Sequence, residues 1–167
     1  MTKEAAIKEA LDRIDGVSKF FGRREIKELP SILWENELPE RVVQGFYNNG
    51  NGLLVATNKR VVFIDKGMFS LRVEDFPYDK ISSIEYSTGM LMGQLTIYAS
   101  GNKAVITQVA KDQVRAFADH VRARSTSVVP HAAMVAAPAG QPAAASQPQE
   151  DPLARLEKLN SLRQQGA

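Results

Sequence analysis

A chain of 167 residues can bury one ordinary core and carry appendages beside it. Its 21 Lys and Arg against 19 Asp and Glu leave +2, too small an excess for a general polyanion binder, so nucleic acid is not expected as a partner. Absence of cysteine excludes disulfides, a thiolate nucleophile and a cysteine-ligated zinc site.

Residues 1–37 read as a helical extension. Ile7, Ala10, Leu11, Ile14 and Val17 recur at three- and four-residue steps, with Thr2 and Glu4 as start signals and Gly16 as the stop. A second apolar set, Phe20, Phe21, Ile26, Leu29, Ile32, Leu33 and Trp34, is interrupted by Pro30. Proline suits the first turn of a helix and not its middle, so one short helix is expected before Pro30 and another turn starting at it.

Residues 38–124 read as the main domain. Seven strands are expected at 41–48, 52–57, 60–65, 71–76, 81–87, 94–99 and 103–109. The segments between them are rich in Gly and Asn, which supply the positive φ angles of hairpin turns. Leu95 and Ile97, and Val105, Thr107 and Val109, keep the period of two that marks half-buried strands. About seven short strands at this spacing predict an antiparallel sandwich or barrel. A helix at 111–124 follows, with Val114, Phe117, Ala118 and Val121 on one face, placed to plug an open barrel end.

Residues 125–150 hold eight Ala, four Pro and one charged residue, too few large side chains for a core, and read as a disordered linker. At 151–167, Asp151 suits an N-cap and Pro152 the first helical position. Leu153, Leu156, Leu159 and Leu162 then form a stripe. A lone helix of about 14 residues is marginal in water, so these leucines are expected to serve as a helix interface with a partner.

The stretches "NGNGLLVATNKRVVFIDKG", "FPYDKISSIEYSTG" and "GQLTIYASGNKAVI", in this order of strands and closing helix, resemble the bacterial pleckstrin-homology-like (PH-like) domains of the YokE-like type over roughly residues 20–124. The last 17 residues resemble the first half of a SHOCT (short C-terminal) module and stop where its second helix would begin. The resemblance implies mainly β structure with α: a seven-stranded antiparallel PH-like barrel capped by a C-terminal helix. Eukaryotic relatives that bind phosphoinositides use a basic first hairpin loop, whereas the loop here, Asn48-Asn49-Gly50-Asn51-Gly52, has no basic residue. Lys59, Arg60 and Lys66 are the nearest cations, too sparse to hold an anionic bilayer at about 1 kcal/mol each.

No catalytic constellation emerges. His120 has no Ser or Cys nucleophile pattern beside it, and His131 lies in the linker. Glu74, Asp75 and Asp79 are interrupted by Phe76, Pro77 and Tyr78 and lack the spacing of a calcium loop, so neither metal nor cofactor is expected. Residues 50–52 lack the Gly-Lys-Ser/Thr of a phosphate loop. The hairpin tip "TGMLMG" is unusual in carrying Met90, Leu91 and Met92. Two readings stay open: the three fold back over a barrel end or under the N-terminal helices, or they form an adhesive tip, since Met adapts to varied apolar surfaces.

The expectation is a non-enzymatic module, a self-associating scaffold or adaptor with itself or another protein as partner. The alternative is a peripheral membrane module that binds lipid head-groups. No apolar run approaches the roughly 20 residues of a membrane span, and the acidic, polar start does not read as a signal peptide, so a cytoplasmic location is expected.

Overall fold

The computed structural model describes residues 2–15, 17 and 23–128. Helix α1 (Lys3–Asp12) starts as expected, with the Thr2 hydroxyl accepting from the Ala5 amide at 3.3 Å and Glu4 in the first turn. It ends at Asp12, before the expected stop at Gly16, because the amides of Arg13 and Ile14 turn back to the Ala10 and Leu11 carbonyls.

Helix α2 (Arg23–Ile32) corrects the expectation at Pro30, which lies inside the helix. Only one amide bond is lost there, and the Leu33 amide still reaches the Leu29 carbonyl at 2.9 Å. Two residues later the helix stops. Full burial of Leu29 and Leu33 on the sheet below offsets the loss.

Seven antiparallel strands follow: β1 (Pro39–Tyr47), β2 (Gly50–Thr57), β3 (Arg60–Lys66), β4 (Leu71–Pro77), β5 (Ile81–Thr88), β6 (Met92–Ala99) and β7 (Asn102–Ala110). A single 3₁₀ turn at Tyr78–Lys80 joins β4 to β5. The spatial order is β4-β3-β2-β1-β7-β6-β5, so β4 and β5 are its free edges. The seven strands and the closing helix form the expected mainly β architecture.

The turn between β1 and β2 takes its positive φ from Asn48 (46°) and Asn49 (62°), not from the glycines beside them. Glycine matters instead for close approach. A Cβ on Gly45 would lie 2.3 Å from Ile106 Cγ2, where β1 crosses β7 at the Phe46–Thr107 pair. One residue past that crossing, Gln108 (φ 58°) sits opposite the register shift in β6, a bulge that helps the sheet turn its corner.

Helix α3 (Lys111–Val128) closes the barrel with Val114, Phe117, Ala118 and Val121, all buried. It runs four residues past the expected end at 124, into what reads as linker. The Ser125, Thr126 and Ser127 hydroxyls bond back to helix carbonyls, which lets these poor helix formers continue it.

Sheet β1–β4 therefore has an apolar layer on each face. Inside, Leu54, Val61, Phe63 and Phe76 join Leu95, Ile97, Ile106 and the stripe of α3. Outside, Val42, Leu53, Val55, Val62 and Ile64 pack under Ile7, Leu11, Leu29 and Leu33 of the N-terminal segment. That is why β2 and β3 read as continuous apolar runs and not as alternating ones.

Candidate interaction surfaces

The first surface is the β5–β6 tip. The Gly89 amide donates to the Met92 carbonyl at 2.9 Å and closes the turn. Just behind it Gly93 is pressed on α3, where an added Cβ would lie 2.9 Å from Val114. Met90, Leu91 and Met92 are 92%, 82% and 54% exposed, so they do not fold back onto the barrel. Behind the tip the core is already filled by α3, whose buried Val114 packs on Gly93.

A second surface went unnoticed in the sequence. In the β3–β4 loop Met68 and Phe69 are 76% and 97% exposed, and Leu71 and Val73 continue the apolar exposure along β4. The signal was present in "KGMFS", two large apolar residues in a hairpin turn, the same anomaly as in "TGMLMG". Both cations flanking this loop are engaged. Lys66 Nζ pairs with Glu28 at 3.0 Å. Arg72 donates to the carbonyls of Asn48 (2.9 Å) and Tyr47 (2.7 Å), with its guanidinium against the rings of Tyr47 and Phe63. Thus one basic residue does reach the Asn-Gly loop, but from β4, and it is spent on holding that loop's backbone. Beside it the Tyr47 hydroxyl donates to Glu74; burial first, and then that carboxylate, raise the Tyr47 pKa.

Of the basic residues near the second hairpin, Arg60 is not a surface charge. It is buried, donating through Nε (3.0 Å) and Nη2 (3.1 Å) to the two oxygens of buried Glu37, with Asp75 on Nη1 and the Trp34 ring 3.8 Å away. Glu37 also accepts from the Trp34 amide (2.7 Å) and the Thr57 hydroxyl (2.8 Å). Burial works to raise its pKa, but these bonds, the one from Arg60 foremost, hold the carboxyl below its usual range. Lys59 stays exposed and donates only to the Glu35 carbonyl, so of the three cations Arg60 and Lys66 are paired with carboxylates and Lys59 keeps its charge at the surface.

The other polar residues singled out in the sequence have separate partners. Glu74 accepts from Tyr47, Asp75 pairs with Arg60, and Asp79 with Lys80. His120 Nε2 lies 3.0 Å from one oxygen of Glu40, whose other oxygen pairs with Arg124. Among the described residues no group of three or more His, Cys, Asp or Glu is arranged to hold a metal ion. Two clefts of about 360 and 440 Å³ flank Arg41 beside β1 and α3, the first lined by Asp15 and Asp112 and the second by Arg13 and Glu40, so each mixes charges of both signs. His131 and the leucines 153, 156, 159 and 162 lie outside the described residues.

Seven antiparallel strands closed by one amphipathic helix form a frame whose sequence model, "Bacterial PH domain", matches residues 33–123, more than half of the chain. The chain belongs to the bacterial PH domain family. The match takes in the loop that carries Trp34 and Glu37, which the geometry makes part of the domain through Arg60. A relative in Archaeoglobus fulgidus, an uncharacterised protein, is 21% identical over 81% of this chain and 90% of its own. Among solved structures, a DUF1696 family protein with a pleckstrin-homology domain from Shewanella loihica is 25% identical over 64% of this chain and 99% of its own, with a TM-score of 0.47. The Vps36 N-terminal PH domain is 18% identical over 58% of this chain and 85% of its own, with a TM-score of 0.43. No helix among the described residues is long and apolar enough to cross a membrane.

Proposed function

We propose that this PH domain is a non-catalytic interaction module that self-associates as a scaffold or adaptor. The observation that carries the reading is the exposure of five large apolar side chains, Met68, Phe69, Met90, Leu91 and Met92, at two hairpin ends, with the two cations that flank the first of these ends, Lys66 and Arg72, engaged within the chain. Exposed apolar groups at this density mark contact surfaces. A bilayer surface is negatively charged and would reward free Lys and Arg next to such tips. In this reading the domain is of the YokE-like type, residues 151–167 are a partial SHOCT segment, the protein is cytoplasmic, and Leu153, Leu156, Leu159 and Leu162 tether it to like chains or a protein partner. Burying four leucines at about 1.5–3 kcal/mol each favours association even after its entropic cost.

One observation favours the membrane alternative: Phe69, the most exposed of these side chains, sits in a short tip of the kind that enters a head-group layer. Light scattering of the full chain over a concentration series, beside sedimentation with anionic phosphatidylglycerol vesicles, separates the two. Mass rising with concentration and no sedimentation is the expected result. A monomer at every concentration that sediments with the vesicles overturns the scaffold reading.

A further inference from the structure

We infer that Met68, Met90 and Met92 are a modification site for two-electron oxidants, and that their conversion to sulfoxides makes the apolar tips polar while the barrel stays folded. The effect on association rests on the self-association reading; the place of oxidation does not.

The sequence holds five methionines and no cysteine. Three of the five lie among the described residues, and all three stand at hairpin ends, 76%, 92% and 54% exposed. The described core is built from Leu, Ile, Val, Phe, Tyr and Ala, without a methionine. Susceptibility to oxidation follows exposure, and no thiol in the chain competes for the oxidant. Leucine would give these tips similar apolar bulk, whereas methionine adds a sulfur that an oxidant can reach. The oxidisable groups thus lie on the surface proposed for contact, and the side chains that hold the core are of other kinds.

Neither tip depends on its sulfur for its shape. At the β5–β6 end the Gly89 amide and the Met92 carbonyl close the turn, and Gly93 is fixed on Val114. At the β3–β4 end Lys66 pairs with Glu28, and Arg72 holds the carbonyls of Tyr47 and Asn48. The tips can therefore change polarity while the strands behind them stay in place.

The step is an oxygen transfer. A lone pair on sulfur attacks one oxygen of hydrogen peroxide, the O–O bond breaks and an S–O bond forms. Sulfur loses two electrons, and the peroxide is reduced to water, which carries away both of its protons. A flexible apolar side chain becomes a polar, chiral one. A dithiol reverses the step: the oxygen leaves as water and the dithiol is oxidised to a disulfide. Association through the tips covers the sulfurs, so the free chain is the form attacked, and oxidation shifts the population towards it. Phe69 and Leu91 stay apolar, so association is weakened and not abolished.

The test treats full-length protein with dilute hydrogen peroxide, maps it by peptide mass spectrometry and follows light scattering over a concentration series. Oxygen is expected on Met68, Met90 and Met92, the Kd of self-association is expected to rise about tenfold, and the urea midpoint is expected to stay unchanged. Methionine sulfoxide reductases of both stereospecificities, with dithiothreitol, are expected to restore association. The triple variant Met68→Leu, Met90→Leu, Met92→Leu keeps apolar tips. It is expected to associate like wild type and to be indifferent to peroxide, although it retains Met1 and Met134. Tip methionines that take up no oxygen while Met1 or Met134 does, or a urea midpoint that falls on tip oxidation, overturn the inference. So does fully oxidised wild type that associates as before, or a triple variant that responds to peroxide as wild type does; in either case self-association stands. If wild type is a monomer at every concentration, self-association is wrong and the tips have no contact to release, and oxygen uptake at the three positions then decides the modification site alone.

Discussion

Arg60 decides more about this domain than any exposed cation. Its guanidinium is out of water, and what keeps it there is the Glu37 carboxylate, the Asp75 carboxylate and the Trp34 ring. Taking either member away leaves the other buried and uncompensated. Arg60→Met is therefore expected to cost about 3–5 kcal/mol in urea unfolding, and Glu37→Gln less, since the amide keeps hydrogen bonds to its neighbours. The pH dependence follows from the sign of the shift. The folded-state pKa of Glu37 lies below its unfolded value, so its contribution is complete above about pH 4.3, the ordinary glutamate value, and is lost as pH falls through the depressed one. The gap in urea midpoint between wild type and Glu37→Gln should narrow on acidification through that window. A gap that is constant from neutral pH downwards would show that the pair contributes no proton-linked stability. In the sequence Arg60 was indistinguishable from a surface charge, because its partner is 23 residues away and burial is set by how β3 and the α2–β1 loop meet.

At the scale of elements, local pattern and observed structure agree closely. Each strand was legible within two residues because short β-branched runs bounded by Asn and Gly have few alternatives. The stripe of α3 was legible too, and burial of all four of its residues shows that the helix is part of the core. Phe117→Ala is expected to cost about 3–5 kcal/mol, read as a lower urea midpoint with an unchanged slope. A loss below about 1 kcal/mol would mean that α3 caps the barrel without anchoring it. Pro30 shows where the local rule failed. Proline in a helix interior costs about 3 kcal/mol, but Leu29 in α2 and Leu33 just beyond its end are buried on the sheet on either side of Pro30, and tertiary burial outweighed the propensity.

For the whole molecule, the consequence lies in the two-sided sheet. The family match begins at residue 33, yet β1, β2 and β3 carry an apolar outer layer whose cover, apart from Leu33, comes from Ile7, Leu11 and Leu29 before that point. A chain restricted to residues 33–128 keeps every strand but uncovers Val42, Leu53, Val55, Val62 and Ile64. It is expected to bind the dye ANS, to have a lower urea midpoint and to aggregate on concentration. Equal stability and no dye binding in that chain would show that α1 and α2 are appendages and not part of the fold. Full-length protein, with both helices in place, is accordingly the right material for any test of self-association.

The sequence by itself determined the seven strands, their turns, the closing helix and the absence of cysteine, because each depends on contacts between near neighbours or on composition alone. Only the tertiary structure decided which strands lie at the edges, that β2 and β3 are covered on both faces, and that Arg60 is buried. It also decided that Met90, Leu91 and Met92, like Met68 and Phe69, stand in solvent. The physical reason is the same in each case. A side chain's exposure depends on what distant segment reaches it first, and behind the methionine tip the buried Val114 of α3 already packs on Gly93.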